Sequence, residues 1–452
     1  MINKILVANR GDIAVRIIRT CKELGIKTVA IYSDADRDSF HRYIADESIC
    51  IGPNNISKSY NNIENIIYLA LKLSCDAIHP GFGFLSENPQ LAEECEKNNI
   101  ILIGPTKEQM LLMGDKSRAR ETMVNLGVPV VQGSESVLKT KEEALEVANK
   151  IGYPVMIKAS NGGGGKGMRI INCKEELFSS FDIASSEALS AFSNSDLYME
   201  KFIENPRHIE VQVFGDKHSN AIHLGDRDCS MQRRNQKVIE ESLSPFLSDD
   251  QRKNIYKTAL DIVKGIGYIG AGTIEFIVDK DKNFYFIEMN TRIQVEHTVT
   301  EMITGLDLIK LQILIANGDE IPFKQDDIVF RGHAIECRIN AEDPSNDFTP
   351  CPGRIESINI PGGFGVRFDT FIYCGYTIPP IYDSMIGKLV CWAETREECI
   401  SRMNRALDEF IVEGIKTNVD FQRELVTSEA FKNNTHHTKF IENVFINEAS
   451  TM

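Results

Sequence analysis

The chain has 452 residues, of which 25% are charged and 42% hydrophobic, and a formal net charge of −15. A single hydrophobic core does not grow to this size, so two or three domains are expected. The acidic balance argues against a nucleic-acid partner, and no apolar run reaches the roughly 20 residues of a membrane helix. Eleven cysteines without paired spacing indicate reduced thiols in a cytoplasmic protein rather than a disulfide frame or a zinc site.

Residues 1–103 alternate short apolar strands with amphipathic helices, and this alternation predicts a small parallel sheet. The predicted strands are 5–8, 27–32, 77–79 and 100–103, and the predicted helices are 13–24, 63–73 and 89–98. The first turn, 9–12, reads Asn-Arg-Gly-Asp and lacks the GxGxxG spacing, so it does not support a dinucleotide site.

A glycine-rich loop is the main feature of the next unit, 131–203, which follows a helical connector at 104–130. The loop, 161–167, lies between predicted strands at 153–158 and 168–171. It joins strand to strand, and Gly rather than Ser or Thr follows its lysine, so it is not a Walker A loop. Glycines let backbone N–H groups approach an anion. The loop therefore predicts a mobile lid over a triphosphate, with a plain flexible turn as the alternative.

Lysines and a short hinge accompany this loop. Lys116 and Lys158 are candidate phosphate contacts, since a lysine ammonium binds phosphate as a point charge. Residues 200–203, Glu-Lys-Phe-Ile, are interpreted as a hinge whose backbone edge reads adenine while a side chain takes a polar group. Each lysine alone is more often a solvated surface residue, but together with the loop they predict an ATP site.

Two acidic strands predict a metal-binding hairpin. Residues 272–278 and 284–287 are β-rich and flank a turn cluster at 279–283. A turn centred between residues 281 and 282 places Glu275 opposite Glu288, where two carboxylates repel each other unless a cation lies between them. Asn290 supplies a third oxygen, and such a donor set suits Mg²⁺ or Mn²⁺ shared with substrate phosphates. Two exposed glutamates on an ordinary hairpin are the alternative.

Polar residues alternate with mostly apolar ones from 288 to 296, which predicts that the strand continues through this run. Its polar face would carry Glu288, Asn290, Arg292, Gln294 and Glu296. A solvated face would explain the pattern, but the apolar residues 284–287 favour a strand that leaves a core and lines a cavity. His208, Glu210 and Gln212 share one face of another predicted strand in the same way.

The last section, 331–446, mixes strands with a predicted helix at 396–410. No Pro- or Ser-rich linker separates the sections, so we expect one body around a shared site.

The two lysines, the glycine loop and the carboxylate hairpin resemble the ATP-grasp superfamily. The segments 9–11, 79–88, 113–116, 227–234, 288–297 and 382–389 are similar to the motifs of biotin carboxylases. The resemblance implies a mixed α/β ATP-grasp fold. Its parts would be a Rossmann-like N-terminal domain at 1–113, an ATP-grasp domain at 114–330 with a glycine-rich lid at about 131–203, and a β-rich C-terminal biotin carboxylase domain at 331–446.

The family's reaction phosphorylates bicarbonate with ATP to give carboxyphosphate, and the carboxyl group then moves to biotin on a carrier protein. The resemblance implies that Glu275, Glu288 and Asn290 hold two Mg²⁺ or Mn²⁺ ions and that Glu296 is the base. It implies bicarbonate contacts from Arg292, Lys237, Gln294 and Val295, and biotin contacts from Arg338 and Phe82. The implied nucleotide contacts are Lys116, Lys158, Gly164, Gly165, Glu200, Lys201, Phe202, Ile203, His208, Gln232, Asn235, Glu275 and Glu288.

Three residues depart from the common family pattern. Phe82 stands where free-standing members commonly have Tyr, Asn235 where His is common, and Thr298 where Pro is usual. Thr298 is expected to relax the backbone just after the bicarbonate strand. None of these changes removes a catalytic role.

The resemblance also implies partners. A homodimer is expected, with Arg19, Glu23, Phe364 and Arg367 at the matching positions. The chain lacks the Ala-Met-Lys-Met biotin-attachment motif, so either a separate biotin carboxyl carrier protein supplies biotin or the chain was cut from a longer protein. A subunit of acetyl-CoA carboxylase, working with carboxyltransferase subunits, is the preferred interpretation. The alternative is a component of a pyruvate, propionyl-CoA or other acyl-CoA carboxylase.

Other functional classes fit less well. Carbamoyl-phosphate synthetase-like or purine-carboxylating ATP-grasp enzymes should lack the combination of residues 292–296 with Arg338. A nucleotide-binding regulatory subunit predicts a broken carboxylate hairpin, whereas Glu275 and Glu288 are both present.

Overall fold

A five-stranded parallel sheet forms the N-terminal part of the computed structural model, which describes residues 1–134, 136–159, 168–192 and 194–446. The sheet order is β3-β2-β1-β4-β5, so the predicted parallel sheet is confirmed. The edge strand β3 was not predicted, because only three of its six residues are hydrophobic and most of the six are exposed or half-exposed. The elements are β1 (Lys4–Val7), α1 (Gly11–Glu23), β2 (Lys27–Ser33), α2 (Phe40–Ile44), β3 (Glu47–Gly52), α3 (Ile63–Lys72), β4 (Ala77–His79), α4 (Pro89–Lys97) and β5 (Ile101–Leu102).

A three-stranded antiparallel sheet, ordered β7-β6-β8, forms the second unit. Its core packs small side chains of two helices, such as Ala144 and Ala188, against Val155 and Met199 on the strands. Gly164 and Gly165 of the predicted lid lie outside the described residues. The elements are α5 (Lys107–Gly114), α6 (Lys116–Asn125), α7 (Lys141–Ile151), β6 (Val155–Ala159), β7 (Arg169–Ile171), α8 (Lys174–Phe192) and β8 (Leu197–Lys201).

An eight-stranded antiparallel sheet carries most of the remaining chain, in the order β13-β12-β9-β10-β11-β14-β19-β18. Strand β11 pairs with β14, so this sheet runs without a break across residue 330. The elements are β9 (Arg207–Gly215), β10 (Ala221–Arg233), β11 (Gln236–Ser242), α9 (Asp249–Gly265), β12 (Gly270–Val278), β13 (Phe284–Asn290), α10 (His297–Thr304), α11 (Leu308–Asn317), β14 (His333–Asn340), β15 (Glu342–Asp343), β16 (Thr349–Pro350), β17 (Ser357–Asn359), β18 (Val366–Thr370), β19 (Met385–Ala393), α12 (Arg396–Glu409), β20 (Ile411–Glu413), α13 (Val419–Thr427) and α14 (Glu429–Lys432).

The hairpin of β12 and β13 has the predicted pairing at the site and a different turn. Glu275 lies opposite Glu288, as predicted. Val278 pairs with Phe284, however, which centres the turn on Asp281. A β-bulge at Ile287 restores the predicted register before Glu288.

The predicted continuous strand from 288 to 296 is wrong. Strand β13 ends at Asn290, and Glu296 is already the N-cap of α10. The strand ends because the backbone N–H of Thr291 donates to the Glu87 carboxylate at 3.0 Å instead of to a neighbouring strand. Thr298 accordingly lies in the first turn of a helix and not just after a strand.

None of the helices in the described residues has both the length and the apolar character needed to cross a bilayer.

Candidate active site

Lys237 on β11 is the centre of a buried charge cluster. Its Nζ lies 2.6 Å from Glu210 Oε2, 2.6 Å from Glu296 Oε1 and 3.2 Å from Glu275 Oε1. Burial disfavours the ammonium, but the surrounding acidic groups outweigh burial and raise the pKa of Lys237 well above its ordinary value. Strands β9, β11 and β12 and the start of α10 thus converge on one fixed positive charge.

Arg227 on β10 contacts the same cluster through Glu210. Its guanidinium is fully buried, and it donates to five side-chain acceptors at 2.5–3.1 Å: Glu210, Gln212, Thr273, Gln294 and Thr300. Arg227 lies in the motif 227–234, but no role was assigned to it from the sequence. The available signal was a run of three charged residues, Asp226, Arg227 and Asp228, inside one strand.

The predicted metal residues lie together on the β12–β13 hairpin. Glu275 Oε1 accepts hydrogen bonds of 2.8 Å from Asn290 Nδ2 and from Gln294 Nε2. Burial and the charge of Glu275 raise the pKa of Glu288, and Lys116 Nζ lies 4.0 Å from its carboxylate. A divalent cation between the two carboxylates would offset the repulsion between their charges. The atoms available as metal ligands are all oxygens. The residues therefore fit Mg²⁺.

His208 on β9 faces the same carboxylates. Its Nε2 lies 3.1 Å from Glu275 Oε2, while its Nδ1 shares a 2.9 Å hydrogen bond with Gln232 Nε2. Burial lowers the pKa of His208, but the charge of Glu275 outweighs burial, so the net shift is upward. His208 and Gln232 are thus placed beside the hairpin.

Arg292 is held by the N-terminal part of the chain. Its Nε donates to Glu87 Oε2 at 2.9 Å, and its Nη2 donates to Asn290 Oδ1 at 2.8 Å. Glu87 also accepts from the backbone of Thr291, so it ties down the loop that follows β13. This role of Glu87 was not predicted from the sequence, because the two segments are about two hundred residues apart.

Glu296 joins this cluster to Arg338 on β14. Arg338 Nη2 lies 3.0 Å from Glu296 Oε2, and its Nε donates to Glu240 Oε1 at 2.6 Å. Burial opposes ionisation of Glu296, but Lys237 and Arg338 outweigh it and hold its pKa well below the ordinary range. The predicted residues Lys237, Glu296 and Arg338 therefore form one continuous chain of charges.

Val295 and Phe82 flank this chain of charges. The Val295 carbonyl accepts a 2.9 Å hydrogen bond from Lys388 Nζ. The Phe82 ring is half-buried, with its centroid 5.7 Å from the same ammonium. Lys388 is fully buried and was not identified from the sequence, although it lies in the quoted motif 382–389.

A cavity of about 490 Å³ lies beside the carboxylate hairpin. Its polar lining includes Lys116, Lys158 and Glu200, and its walls are largely apolar, with Val131, Tyr198, Ile277, Phe286 and Ile287 among them. Lys158 forms an ion pair with Glu200. Burial opposes the charge of Lys158, but Glu200 and Tyr198 outweigh it and raise its pKa.

The predicted hinge, 200–203, overlaps the end of β8 beside this cavity. The N–H of Lys201 donates to the carbonyl of Gln132 at 2.8 Å, and the N–H of Phe202 donates to the carbonyl of Pro154 at 3.1 Å. The Lys201 ammonium bonds the carbonyls of Gly152 and Tyr153, so this side chain anchors the hinge. Ile203 is half-buried in the segment that follows.

Asn235 is placed away from the other nucleotide candidates. It is exposed in the β10–β11 turn, where its side chain accepts a 3.3 Å hydrogen bond from Lys439. Its φ of 62° lies in the left-handed region, which asparagine tolerates better than most residues. The turn conformation accounts for asparagine at this position.

Comparison with known proteins places this site in a family. Three family models match along the chain: "Biotin carboxylase, N-terminal domain" at residues 1–110, "Carbamoyl-phosphate synthase L chain, ATP binding domain" at 115–324, and "Biotin carboxylase C-terminal domain" at 336–443. Biotin carboxylase 1 of Bacillus subtilis is 54% identical, covering 98% of each chain. The biotin carboxylase of Nostoc is 53% identical, covering 97% of this chain and 98% of its own.

Solved structures agree with the sequence relatives. A Campylobacter jejuni biotin carboxylase in complex with a β,γ-ATP ligand has a TM-score of 0.95 at 50% identity, covering 98% of both chains. The biotin carboxylase domain dimer of Hydrogenobacter thermophilus 2-oxoglutarate carboxylase, with MgADP and bicarbonate, has a TM-score of 0.94 at 50% identity, covering 98% of this chain and 97% of its own. The predicted ATP-grasp fold is confirmed, and the chain belongs to the biotin carboxylase family.

Proposed function

We propose that this chain is the biotin carboxylase of an acetyl-CoA carboxylase: it uses ATP and bicarbonate to carboxylate biotin. The observation that carries the proposal is the continuous chain of Lys237, Glu296 and Arg338 beside the Glu275–Glu288 hairpin. A phosphoryl donor, bicarbonate and biotin can therefore meet within one buried site, which is the main requirement for joining three reactants.

The nucleotide half of the site would use the cavity beside the hairpin. Its apolar walls suit the adenine ring, and Lys116 and Lys158 supply positive charge for the phosphates. Glu275, Glu288 and Asn290 would hold Mg²⁺ or Mn²⁺, which neutralises charge on the transferred phosphoryl group. Two solved relatives support this assignment, one binding an ATP analogue and the other MgADP with bicarbonate.

Bicarbonate would bind between Arg292 and Lys237. A bicarbonate oxygen attacks the γ-phosphorus, the bond to the ADP oxygen breaks, and Glu296 takes the bicarbonate proton. While Lys237 and Arg338 both contact Glu296, its low pKa makes it a weak base. A bound anion competes for these two cations, so substrate binding would raise the proton affinity of Glu296 as the reaction requires.

Biotin would bind on the side of Arg338 and Phe82. Carboxyphosphate releases CO₂ and a phosphate that deprotonates the biotin ureido nitrogen, which then attacks CO₂. The Arg338 guanidinium would stabilise the ureido oxyanion that forms in this step. Glu240 accepts a hydrogen bond from Arg338 Nε and so fixes the plane of the guanidinium.

The assignment to acetyl-CoA carboxylase is supported by curated biotin carboxylases whose whole length this chain matches. A biotin carboxyl carrier protein would supply biotin, and carboxyltransferase subunits would consume carboxybiotin. Domains at 1–113, 114–330 and 331–446 are supported by the ranges of the three family matches. Eleven free cysteines suit a cytoplasmic location.

Bicarbonate-dependent ATP cleavage, measured with and without free biotin, tests the proposal. We expect biotin to accelerate ADP release in the wild type. Arg338→Ala should keep the slow, biotin-independent reaction and lose roughly 10²- to 10³-fold of the biotin-dependent one. ADP release that is indifferent to both bicarbonate and biotin would refute the assignment.

A further inference from the structure

Two buried carboxylates face each other directly behind Arg338. Glu240 on β11 and Glu336 on β14 are cross-strand partners, and both side chains are fully buried. Directly opposed residues in an antiparallel pair have Cβ atoms about 5 Å apart, so two negative charges here would repel strongly. No role in the reaction above uses Glu336.

Each carboxylate of the pair has one oxygen that accepts a hydrogen bond and one that does not. Glu240 Oε1 accepts from Arg338 Nε at 2.6 Å, and Glu336 Oε2 accepts from the hydroxyl of Thr298. The other two oxygens, Glu240 Oε2 and Glu336 Oε1, are buried and have no hydrogen-bond partner among the described residues. An unpaired buried carboxylate oxygen is costly, and a proton between these two atoms would satisfy both.

We propose that Glu240 and Glu336 share one proton at neutral pH, with Glu336 protonated and donating from its Oε1 to Glu240 Oε2. The pair then carries one negative charge, which lies on Glu240 and holds the Arg338 guanidinium. Glu336 and Thr298 act as positioning residues for Arg338. The hydroxyl of Thr298 completes the arrangement by donating to the carbonyl oxygen of Glu336.

The surrounding charges favour this distribution. Arg338, Glu296 and Lys237 face Glu240, whereas Lys388 and Arg338 face Glu336 from β19 and β14. Burial raises the pKa of Glu336 to about 8, and the charge of Glu240 adds to the effect. Burial also raises the pKa of Glu240, to about 7, against the pull of Arg338. The direct bond from Arg338 keeps the charge on Glu240.

Glu336 makes the stability of the fold depend on pH. The pKa of Glu336 is above its ordinary value of 4.5, so the folded protein holds an extra proton between pH 4.5 and about pH 8. The free energy of unfolding therefore decreases as pH rises through this interval. Above it both carboxylates are charged, which pulls Arg338 towards them and away from biotin.

Infrared difference spectroscopy of the wild type and Glu336→Gln at pH 7 tests the proton directly. We expect the wild-type spectrum to contain a protonated carboxylic acid C=O band that Glu336→Gln lacks. The matched control is Glu241→Gln: this neighbouring buried carboxylate bonds His333 and Arg396, and its pKa is lowered, so only carboxylate bands should change. Loss of a carboxylate band in Glu336→Gln, with no acid band, would overturn the proposal.

Thr298→Val is a second test of the shared proton, and it applies even if Glu336→Gln does not fold. Removing the hydroxyl should shift the acid C=O band to higher frequency, because the carbonyl oxygen loses its hydrogen bond. An unchanged band would contradict the assigned geometry.

The positioning role rests on the proposed function, whereas the infrared result does not. If biotin proves not to be a substrate, the infrared bands still decide whether the proton is there. In the wild type we expect KM for biotin to rise by up to about tenfold between pH 7 and pH 9, as about nine-tenths of Glu336 ionises. Glu336→Gln should remove this rise, and an identical rise in the variant would refute the positioning role.

Discussion

Lys237 and Glu296 keep each other charged in a buried environment. Their atoms are 2.6 Å apart, and the pKa of Lys237 is raised while that of Glu296 is lowered. Moving two ions out of water can cost more free energy than their mutual attraction returns. A buried ion pair is therefore weak evidence for stability. It is better explained by chemistry, since bicarbonate, an anion like Glu296, can compete with it for the Lys237 ammonium.

Glu296→Gln tests whether Glu296 is the base for bicarbonate. The amide keeps the size of the side chain and loses the base, so we expect kcat for bicarbonate-dependent ADP release to fall roughly 10²- to 10⁴-fold. Calorimetry should show nearly unchanged MgADP binding, because Glu296 lies outside the nucleotide cavity. As a contrast, Lys116→Gln should weaken nucleotide binding. Equal loss of binding and turnover in Glu296→Gln would assign Glu296 to the nucleotide site instead.

The β12–β13 hairpin determines which side chains reach the metal site. A shift of one residue in a strand turns every following side chain to the other face. The bulge at Ile287 produces such a shift and brings Glu288 opposite Glu275. The pairing was predicted correctly from the turn residues, but alternation could not reveal a compensating bulge, because the bulge is a feature of the pairing between β13 and β12.

The loop after the hairpin shows the limit of periodicity more clearly. Polar and apolar residues alternate from 288 to 296, yet Glu87, about two hundred residues earlier, captures the Thr291 amide and ends the strand. Glu87 and Arg227 acquire their roles only through such distant contacts. Local pattern therefore identified the carboxylate hairpin and the two nucleotide lysines. Lys237 and Arg338 came only from the family resemblance, and the residues that hold the site together were missed.

Glu288→Gln tests the hairpin as a metal-binding element. Losing one of two anionic donors should raise the Mg²⁺ concentration for half-maximal ATP cleavage by roughly 10- to 100-fold. Asp281→Asn in the turn of the same hairpin removes an exposed carboxylate and serves as the matched control. An unchanged Mg²⁺ requirement in Glu288→Gln, titrated at constant MgATP, would contradict the assignment.

At the scale of the whole molecule, residues from the N-terminal sheet and from both sides of residue 330 build one site. Glu87 precedes α4, the metal hairpin follows α9, and Arg338 lies on β14 of the same eight-stranded sheet. The matching family positions for a dimer are at another surface. Phe364 there is 79% exposed, Arg367 bonds Glu301 and Asp369, and Arg19 and Glu23 are exposed on α1.

Phe364→Ala should weaken a dimer at this surface. Burying a phenylalanine side chain contributes about 1.5–3 kcal/mol, which corresponds to a roughly 10- to 100-fold change in the dissociation constant. Sedimentation velocity over a concentration series measures it. Tyr68→Ala removes another exposed aromatic, on α3, and should leave the association unchanged. A wild-type monomer, or an equal effect of both variants, would refute this interface.

Transfer of labelled carbon from bicarbonate to biotin measures the proposed ATP-dependent carboxylation itself. The wild type, incubated with MgATP, ¹³C-bicarbonate and free biotin, should form ¹³C-carboxybiotin in an amount that does not exceed the ADP released. No label should transfer when ATP is omitted. ADP release in the presence of biotin without any labelled carboxybiotin would contradict the account.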